Sequence, residues 1–192
     1  MSSSLFLSQR SLYEDDYSCI LRNPQNEFNY GLHYHDFYEC VLYLGNAGIF
    51  RIEDQEYLIK RGDIVLIDMF KPHTLTYNKN YFYERFSLSI NLSLLISFST
   101  SRSNLLDVFH NCSDRRPVYP LSQEQLQKYL TLLDKYRKIK LENGKDILEK
   151  ALIHQLLAYI YSDCYRGRHI DKKEAQHAQT IAALLKYINT HL

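Results

Sequence analysis

The feature that most limits the fold is a change of hydrophobic period near Asn91. From about Tyr17 to Ile90 the chain reads as short strands: YSCILR, HYHDFYECVLYL, GIFRIED, QEYLIKR, DIVLIDM, HTLTYN and YFYERFSLSI. They are broken by Gly31, Gly45, Gly48, Gly62 and Pro72. Short strands at regular spacing point to a small barrel or sandwich rather than a Rossmann-like sheet. Within them IFRIEDQEYLIKRGD reads as a hairpin that reverses at Glu53-Asp54-Gln55, with a second turn at Gly62-Asp63.

After Asn91 the period becomes helical. NLSLLISFS and SNLLDVFHNCSD are short helical segments, and Pro117 and Pro120 fence them off from the longer helices. Ser122 with Gln125 three residues on is a capping box, and Leu126, Tyr129, Leu130, Leu133 and Tyr136 form the stripe of a helix that Asn143-Gly144 should close. A second helix carries Ile147, Leu148, Ala151, Leu152, Leu156, Tyr159 and Ile160 on a broad apolar face. A third should start at Asp171, capped by Glu174, with Ala178, Ile181, Ala182, Leu185, Ile188 and Leu192 on its stripe. Small and branched residues of that kind permit close antiparallel packing, within a helix pair or across a dimer seam. Because the stripe reaches the final residue, the third helix is expected to lead into a further domain.

The chain has 192 residues and a formal charge of +1, so it offers no basic field for a nucleic-acid backbone. Cys19, Cys40, Cys112 and Cys164 are widely scattered with no CxxC pair, so neither a disulfide framework nor a zinc knuckle is indicated. With no secretory leader and no apolar run of membrane-spanning length, the expected compartment is the cytoplasm. Tyrosine is abundant, at 17 residues beside 9 Phe and no Trp. Its ring and hydroxyl suit half-buried strands as well as a wet pocket for a sugar-like ligand.

The chemistry is concentrated in GLHYHDFYECVLYLG. Strand alternation places His33, His35, Phe37, Glu39 and Val41 on one face, with Tyr34, Asp36, Tyr38, Cys40 and Leu42 on the other. Two imidazoles and a carboxylate on one face, joined by His73 from a later strand, would make a 3-His-1-carboxylate site for Fe, Mn, Zn, Ni or Cu. The same side chains could equally satisfy one another by hydrogen bonds.

In order and spacing, His33 to Gly45, then YLIKRGDIVLID and KPH, resemble the two motifs of the cupin fold. More narrowly, the run from His33 through the Pro72-His73 pair to YERFSLSI resembles the N-terminal sensing domain of AraC/XylS-type transcriptional regulators. IAALLKYINTHL is similar to the lead-in that precedes that family's paired helix-turn-helix unit. The resemblance implies a fold that is mainly β with α: a cupin-type double-stranded β-helix, or jelly-roll barrel, over residues 1–91, and a helical dimerisation region over 92–192. It further implies a small-molecule effector bound in the barrel, homodimers formed through the helices, and contact with DNA only through a separate C-terminal domain.

Expected ligand-binding residues are His33, His35, Glu39 and His73, followed by Tyr43, Phe50, Tyr77 and Arg85, with Ile52 and Ile67 beside them. Arg85 could clamp a carboxylate or sugar hydroxyls, or support its strand by pairing with Glu84 or Asp63. The four metal-ligand positions of a cupin are all filled. However, Pro72-His73 lies further from Gly62 than in the usual second motif, no Asn follows at the usual spacing, and such histidines in AraC-type sensors commonly stand without a metal. A divalent transition metal is therefore an optional cofactor, and a metal-dependent cupin oxygenase, isomerase or epimerase is the alternative. A pure dimerisation module is the third.

Overall fold

The computed structural model describes residues 8–10, 16–22, 31–77, 84–113 and 116–165. The third helix expected from Asp171, and Leu192 with it, lie outside the described residues. The strands are β1 (Ser8–Arg10), β2 (Tyr17–Arg22), β3 (His33–His35), β4 (Tyr38–Tyr43), β5 (Gly48–Ile52), β6 (Gln55–Ile59), β7 (Asp63–Ile67), β8 (His73–Tyr77), β9 (Arg85–Ile90) and β10 (Val118–Pro120). The helices are α1 (Leu92–Phe98), α2 (Leu106–Ser113), α3 (Gln123–Arg137) and α4 (Lys145–Cys164).

The strands make two five-stranded sheets, ordered β1-β3-β8-β5-β6 and β10-β7-β4-β9-β2. Every pairing is antiparallel except β1 with β3. Among the described residues no hydrogen-bonded closure joins the sheets into a barrel, so the architecture is two sheets with C-terminal helices.

The second sheet has work for both of its faces. In β4 and β9 one alternate set, Tyr38, Cys40, Leu42, Phe86, Leu88 and Ile90, is buried in a large cluster with side chains of all four helices. The other set, which includes Glu39, Val41, Arg85 and Ser87, faces the space between the sheets. That is the period-2 signature of a half-covered strand, except that here the second face is covered by another sheet instead of water. A smaller apolar cluster of Val41, Tyr43, Phe50, Ile52, Ile59, Val65 and Ile67 closes one part of the inter-sheet space.

The expected single strand from His33 to Leu44 is broken into β3 and β4, which belong to different sheets. At the break the Phe70 N–H donates to the His35 carbonyl at 2.8 Å, and the His35 ring N–H donates to the Phe37 carbonyl at 2.7 Å. Only Asp36 and Phe37 intervene, an even number, so the odd-numbered side chains still point to the same side after the corner.

The hairpin β5-β6 turns on Glu53 and Asp54 alone, since Gln55 already pairs with Ile52. Glu53 adopts φ +50°, as two-residue hairpin turns require at their first central position. The Gly62 turn is also as expected: its φ is +90°, its N–H donates to Tyr43 O at 2.8 Å, and the Asp63 carboxylate accepts the Lys60 N–H at 2.7 Å.

The helical half departs from expectation in three places. The segment between the two prolines forms β10, pairing with β7, because the proline-flanked extended chain reaches the free edge of the second sheet. Ser122 caps α3 with the full reciprocal box, but α3 ends at Arg137, and Gly144, in the left-handed region, is the N-cap of α4 rather than the end of α3. In α4 the buried residues are Ile153, Leu156, Leu157, Ile160 and Cys164, while Ile147 is 71% exposed. Ile147 and Leu148, at the start of α4, lie on its exposed side, while Glu149 accepts a hydrogen bond from Tyr17 of β2 at 2.8 Å.

Candidate functional site

Three histidines on β3 and β8 share one local device. His33 Nδ1 lies 2.9 Å from Gly31 O, His35 Nδ1 2.7 Å from Phe37 O, and His73 Nδ1 2.8 Å from Lys71 O. A carbonyl only accepts, so each Nδ1 carries the proton. The cross-strand pairing of His33 with His73 then brings β8 onto the β3 histidines.

The Nε2 atoms face Glu39 from the opposite sheet: His35 Nε2 is 3.2 Å and His73 Nε2 3.7 Å from Glu39 Oε2. The ligand atoms of His35, Glu39 and His73 all lie within 4.8 Å of one another. Donors on ~2.1 Å bonds around a tetrahedral ion stand about 3.4 Å apart, so these separations suit a bound divalent metal. Ring N–H groups anchored on backbone carbonyls are the usual support for metal-ligating histidines. His33 is outside this trio: its ring packs on His73, with centroids 4.3 Å apart.

The electrostatics ask for a cation at this point. Burial on its own would raise the Glu39 carboxyl, but the His35 hydrogen bond and the charges of His35, His73 and Arg85 outweigh it and hold the group well below the usual carboxylate range. His73 is pushed down to about 3, chiefly by burial, so its Nε2 presents a lone pair toward a carboxylate. A metal ion between these atoms would resolve that arrangement.

The trio opens on a cavity of about 190 Å³ between the sheets. His33, His35, Phe37, Glu39, Val41, Phe50, Ile67, His73, Leu75 and Arg85 line it, together with Ser18, Ile20 and Arg22 of β2 and Ser87 and Ser89 of β9. Of the residues expected from sequence, His33, His35, Glu39, His73, Phe50, Ile67 and Arg85 therefore meet at one place. Tyr43, Ile52 and Tyr77 pack in or against the apolar cluster beside it and are not among the lining residues. Burial pushes the Tyr43 phenol up to about 12 against the pull of Arg85. Of the two expected partners for Arg85, Glu84 lies 3.6 Å from Arg137 and Asp63 accepts from the Lys60 backbone.

Sequence reading missed the β2 contributions and, on β9, Ser87 and Ser89. Ser87, 5% exposed, has no hydrogen-bond partner for its hydroxyl, which is uncommon for a buried polar group. The alternation in YSCILR and RFSLSI carried the facing of these residues, but only the pairing of the two strands shows that they share one wall.

Among the described residues no helix is long and apolar enough to cross a membrane. No curated protein matches the sequence. Among solved structures, the fold is similar to apo ToxT K231A from Vibrio cholerae, with TM-score 0.51 at 11% identity over 82% of this chain and 61% of that one. It is also similar to ToxT from Vibrio cholerae O395, with TM-score 0.44 at 14% identity over 81% and 58%. A third likeness is to the AraC-like transcriptional activator CuxR, with TM-score 0.42 at 11% identity over 64% and 42%. The chain thus spans about three fifths of the length of the ToxT chains it resembles. The family model described as the AraC-like ligand binding domain matches residues 17–157, from the first residue of β2 well into α4, and the chain belongs to that family.

Proposed function

We propose that the space between the sheets is the effector pocket of a transcriptional regulator, and that the helices behind the second sheet transmit its occupancy. The observation that carries this reading is the cavity between the sheets, lined by side chains from both and holding the buried Ser87 hydroxyl, which has no hydrogen-bond partner. Family membership makes the domain a binding and regulatory one rather than an enzyme.

The two facing sheets are read as a cupin-type jelly roll, with a boundary near residue 91 between the effector-binding part and the helical part. His33, His35, Glu39, His73, Phe50 and Arg85 are the effector contacts in this reading, with Tyr43 and Tyr77 supporting the floor. Homodimers form through the C-terminal helices, and DNA is contacted by a separate domain of the whole regulator in the cytoplasm. The near-neutral charge supports that division of labour.

The test is a cavity-filling substitution in the full-length regulator. Val41 is buried, lines the cavity and sits mid-strand on β4. Val41→Phe should abolish the transcriptional response while DNA binding survives, and an unchanged response would refute the pocket. Sedimentation over a range of concentrations tests the dimer, since a monomer at high micromolar concentration would exclude pairing by this chain alone.

A further inference from the structure

The wall made by β4, β9 and β2 is a ladder of three rungs. Glu39, Ser89 and Ser18 stand side by side on the first, Val41, Ser87 and Ile20 on the second, and Tyr43, Arg85 and Arg22 on the third. All of them except Tyr43 line the cavity. Arg22 and Arg85 already interact within the chain, so the third rung does not decide the ligand. Ser87 bears on it more directly: its hydroxyl is buried with no hydrogen-bond partner, a costly state for a polar group until a ligand or water meets it.

The first rung asks for a donor. The Glu39 carboxylate only accepts. His73 has its Nδ1 proton on the Lys71 carbonyl at 2.8 Å, which leaves the Nε2 lone pair facing Glu39 Oε2 at 3.7 Å. A ligand O–H placed there donates to one of these acceptors, and the Ser89 hydroxyl, which both donates and accepts, suits the same oxygen. Ser87 is two residues along β9 from Ser89, roughly 7 Å away.

Beside these groups the cavity is apolar. Val41 and Ile67 line it from the second sheet, and Phe50 and Leu75, cross-strand partners on β5 and β8, line it from the first. A cavity of about 150 Å³ holds benzene, so about 190 Å³ holds such a ring with roughly two or three further non-hydrogen atoms on the same scale. A sugar would set its hydroxyls against these four apolar side chains, and an organic acid bound at the first rung would set a second carboxylate beside Glu39.

We propose that the effector is an uncharged monocyclic phenol with a second hydroxyl at its far end. Its phenolic O–H donates at Glu39 and His73, its ring lies among Val41, Ile67, Phe50 and Leu75, and the second hydroxyl meets Ser87. This rests on the reading of the cavity as the effector pocket, and it selects a neutral aromatic alcohol over the sugar-like ligand that tyrosine content suggests. The ligand O–H and a metal ion are alternatives at Glu39.

The test uses ligand-observed NMR and calorimetry on the 192-residue chain with excess chelator. The probes are 4-hydroxybenzyl alcohol, p-cresol, which lacks the second hydroxyl, and 4-methylanisole, which lacks any O–H, with 4-hydroxybenzoate as the acid and ribose as the sugar. p-Cresol should bind at least roughly tenfold more tightly than 4-methylanisole, the loss expected for a hydrogen bond to a charged group. Ser87→Ala should weaken 4-hydroxybenzyl alcohol by roughly three- to tenfold, the range for a neutral hydrogen bond, and leave p-cresol unchanged. Without ligand the same variant should melt no lower than wild type, since it deletes a hydroxyl that has no partner; a lower midpoint would make Ser87 a structural residue and overturn its role. Binding of 4-hydroxybenzoate or ribose as tight as that of 4-hydroxybenzyl alcohol, 4-methylanisole equal to p-cresol, unchanged affinity in Ser87→Ala, or no binding by either neutral phenol at millimolar concentration overturns the proposal. Val41→Phe in the whole regulator reports separately: a lost response with no phenol bound leaves the pocket standing and removes only the ligand class.

Discussion

Replacing Glu39 by Gln separates the two cations that could sit at the histidine trio. The wild-type carboxylate is 14% exposed and lies 3.2 Å from His35 Nε2 and 3.7 Å from His73 Nε2. If a metal is the cation, zinc at a hundredfold excess over its dissociation constant stabilises the folded chain by about 2.7 kcal/mol. For a chain of this length that raises the melting midpoint by about 5–11 °C. Glu39→Gln removes the only anionic ligand and should abolish that shift. In metal-free protein the same change should cost under about 1 kcal/mol, because the new amide N–H can donate to an Nε2 lone pair. Thermal melts of both proteins, with zinc and with excess chelator, supply the comparison. An equal zinc shift in the variant would move binding elsewhere, for instance to the His110 and Asp68 pair at 2.6 Å. A metal-free loss of about 3–5 kcal/mol, the signature of a broken buried ion pair, would make an imidazolium, not a metal, the partner of Glu39.

Three more outcomes are set by the packing and the ionisable groups. Ser122→Ala removes the acceptor of the Gln125 N–H at 3.1 Å and should cost about 1 kcal/mol in a urea melt; no change would mean that the capping box does not hold α3. Ile153→Ala, at a site 1% exposed, should lose about 2–5 kcal/mol, while Ile147→Gln, at a site 71% exposed, should stay within about 0.5 kcal/mol; the reverse order would restore the helix face read from sequence. Burial pushes the Cys19 thiol up to about 12. Its folded value lies above its unfolded one, so the stability it contributes is intact below about pH 8.5 and is lost as the pH rises toward 12. Urea midpoints should fall between about pH 8 and about pH 10.5, and fall less in Cys19→Ser, whose hydroxyl does not titrate there.

Much of the site was legible because strand parity is a local property. His33, His35, Phe37, Glu39 and Val41 face the cavity as the alternation requires, although the strand breaks and changes sheets between His35 and Tyr38. A corner of odd length would have reversed Glu39. The arginine rung was not legible, since Arg22 and Arg85 are far apart in sequence and meet only through the β2-β9 register. The α4 face was misread for a related reason. Ile147 and Leu148 fit an apolar stripe, but which side of a helix is buried depends on how it is rotated against its partner surface, and here both face outward. Tyr43 and Tyr77 had the right parity or composition for the cavity, yet they belong with the neighbouring apolar cluster, whose limits depend on side-chain volumes from both sheets.

The strand β9 links the pocket to the helices. Arg85, Ser87 and Ser89 look into the cavity, and the residues between and after them, Phe86, Leu88 and Ile90, lie in the cluster shared with the helices. Phe86 also meets Tyr136 of α3 edge to face, with ring centroids 6.5 Å apart. A ligand that touched Arg85 or Ser87, as proposed, would act on a strand whose opposite face is packed against the helical layer, and close-packed side chains pass on a shift instead of absorbing it. Such contact is only the route. The ligand moves the helices to the extent that it binds one of their arrangements more tightly than another. A tenfold preference corresponds to about 1.4 kcal/mol, within what one charge-assisted hydrogen bond to Glu39 can supply. In the proposed reading that difference is felt at Arg85 and Ser87 on β9, and at Glu39, which stands beside Ser89 in the same sheet, while His35 and His73 reach it from the opposite sheet.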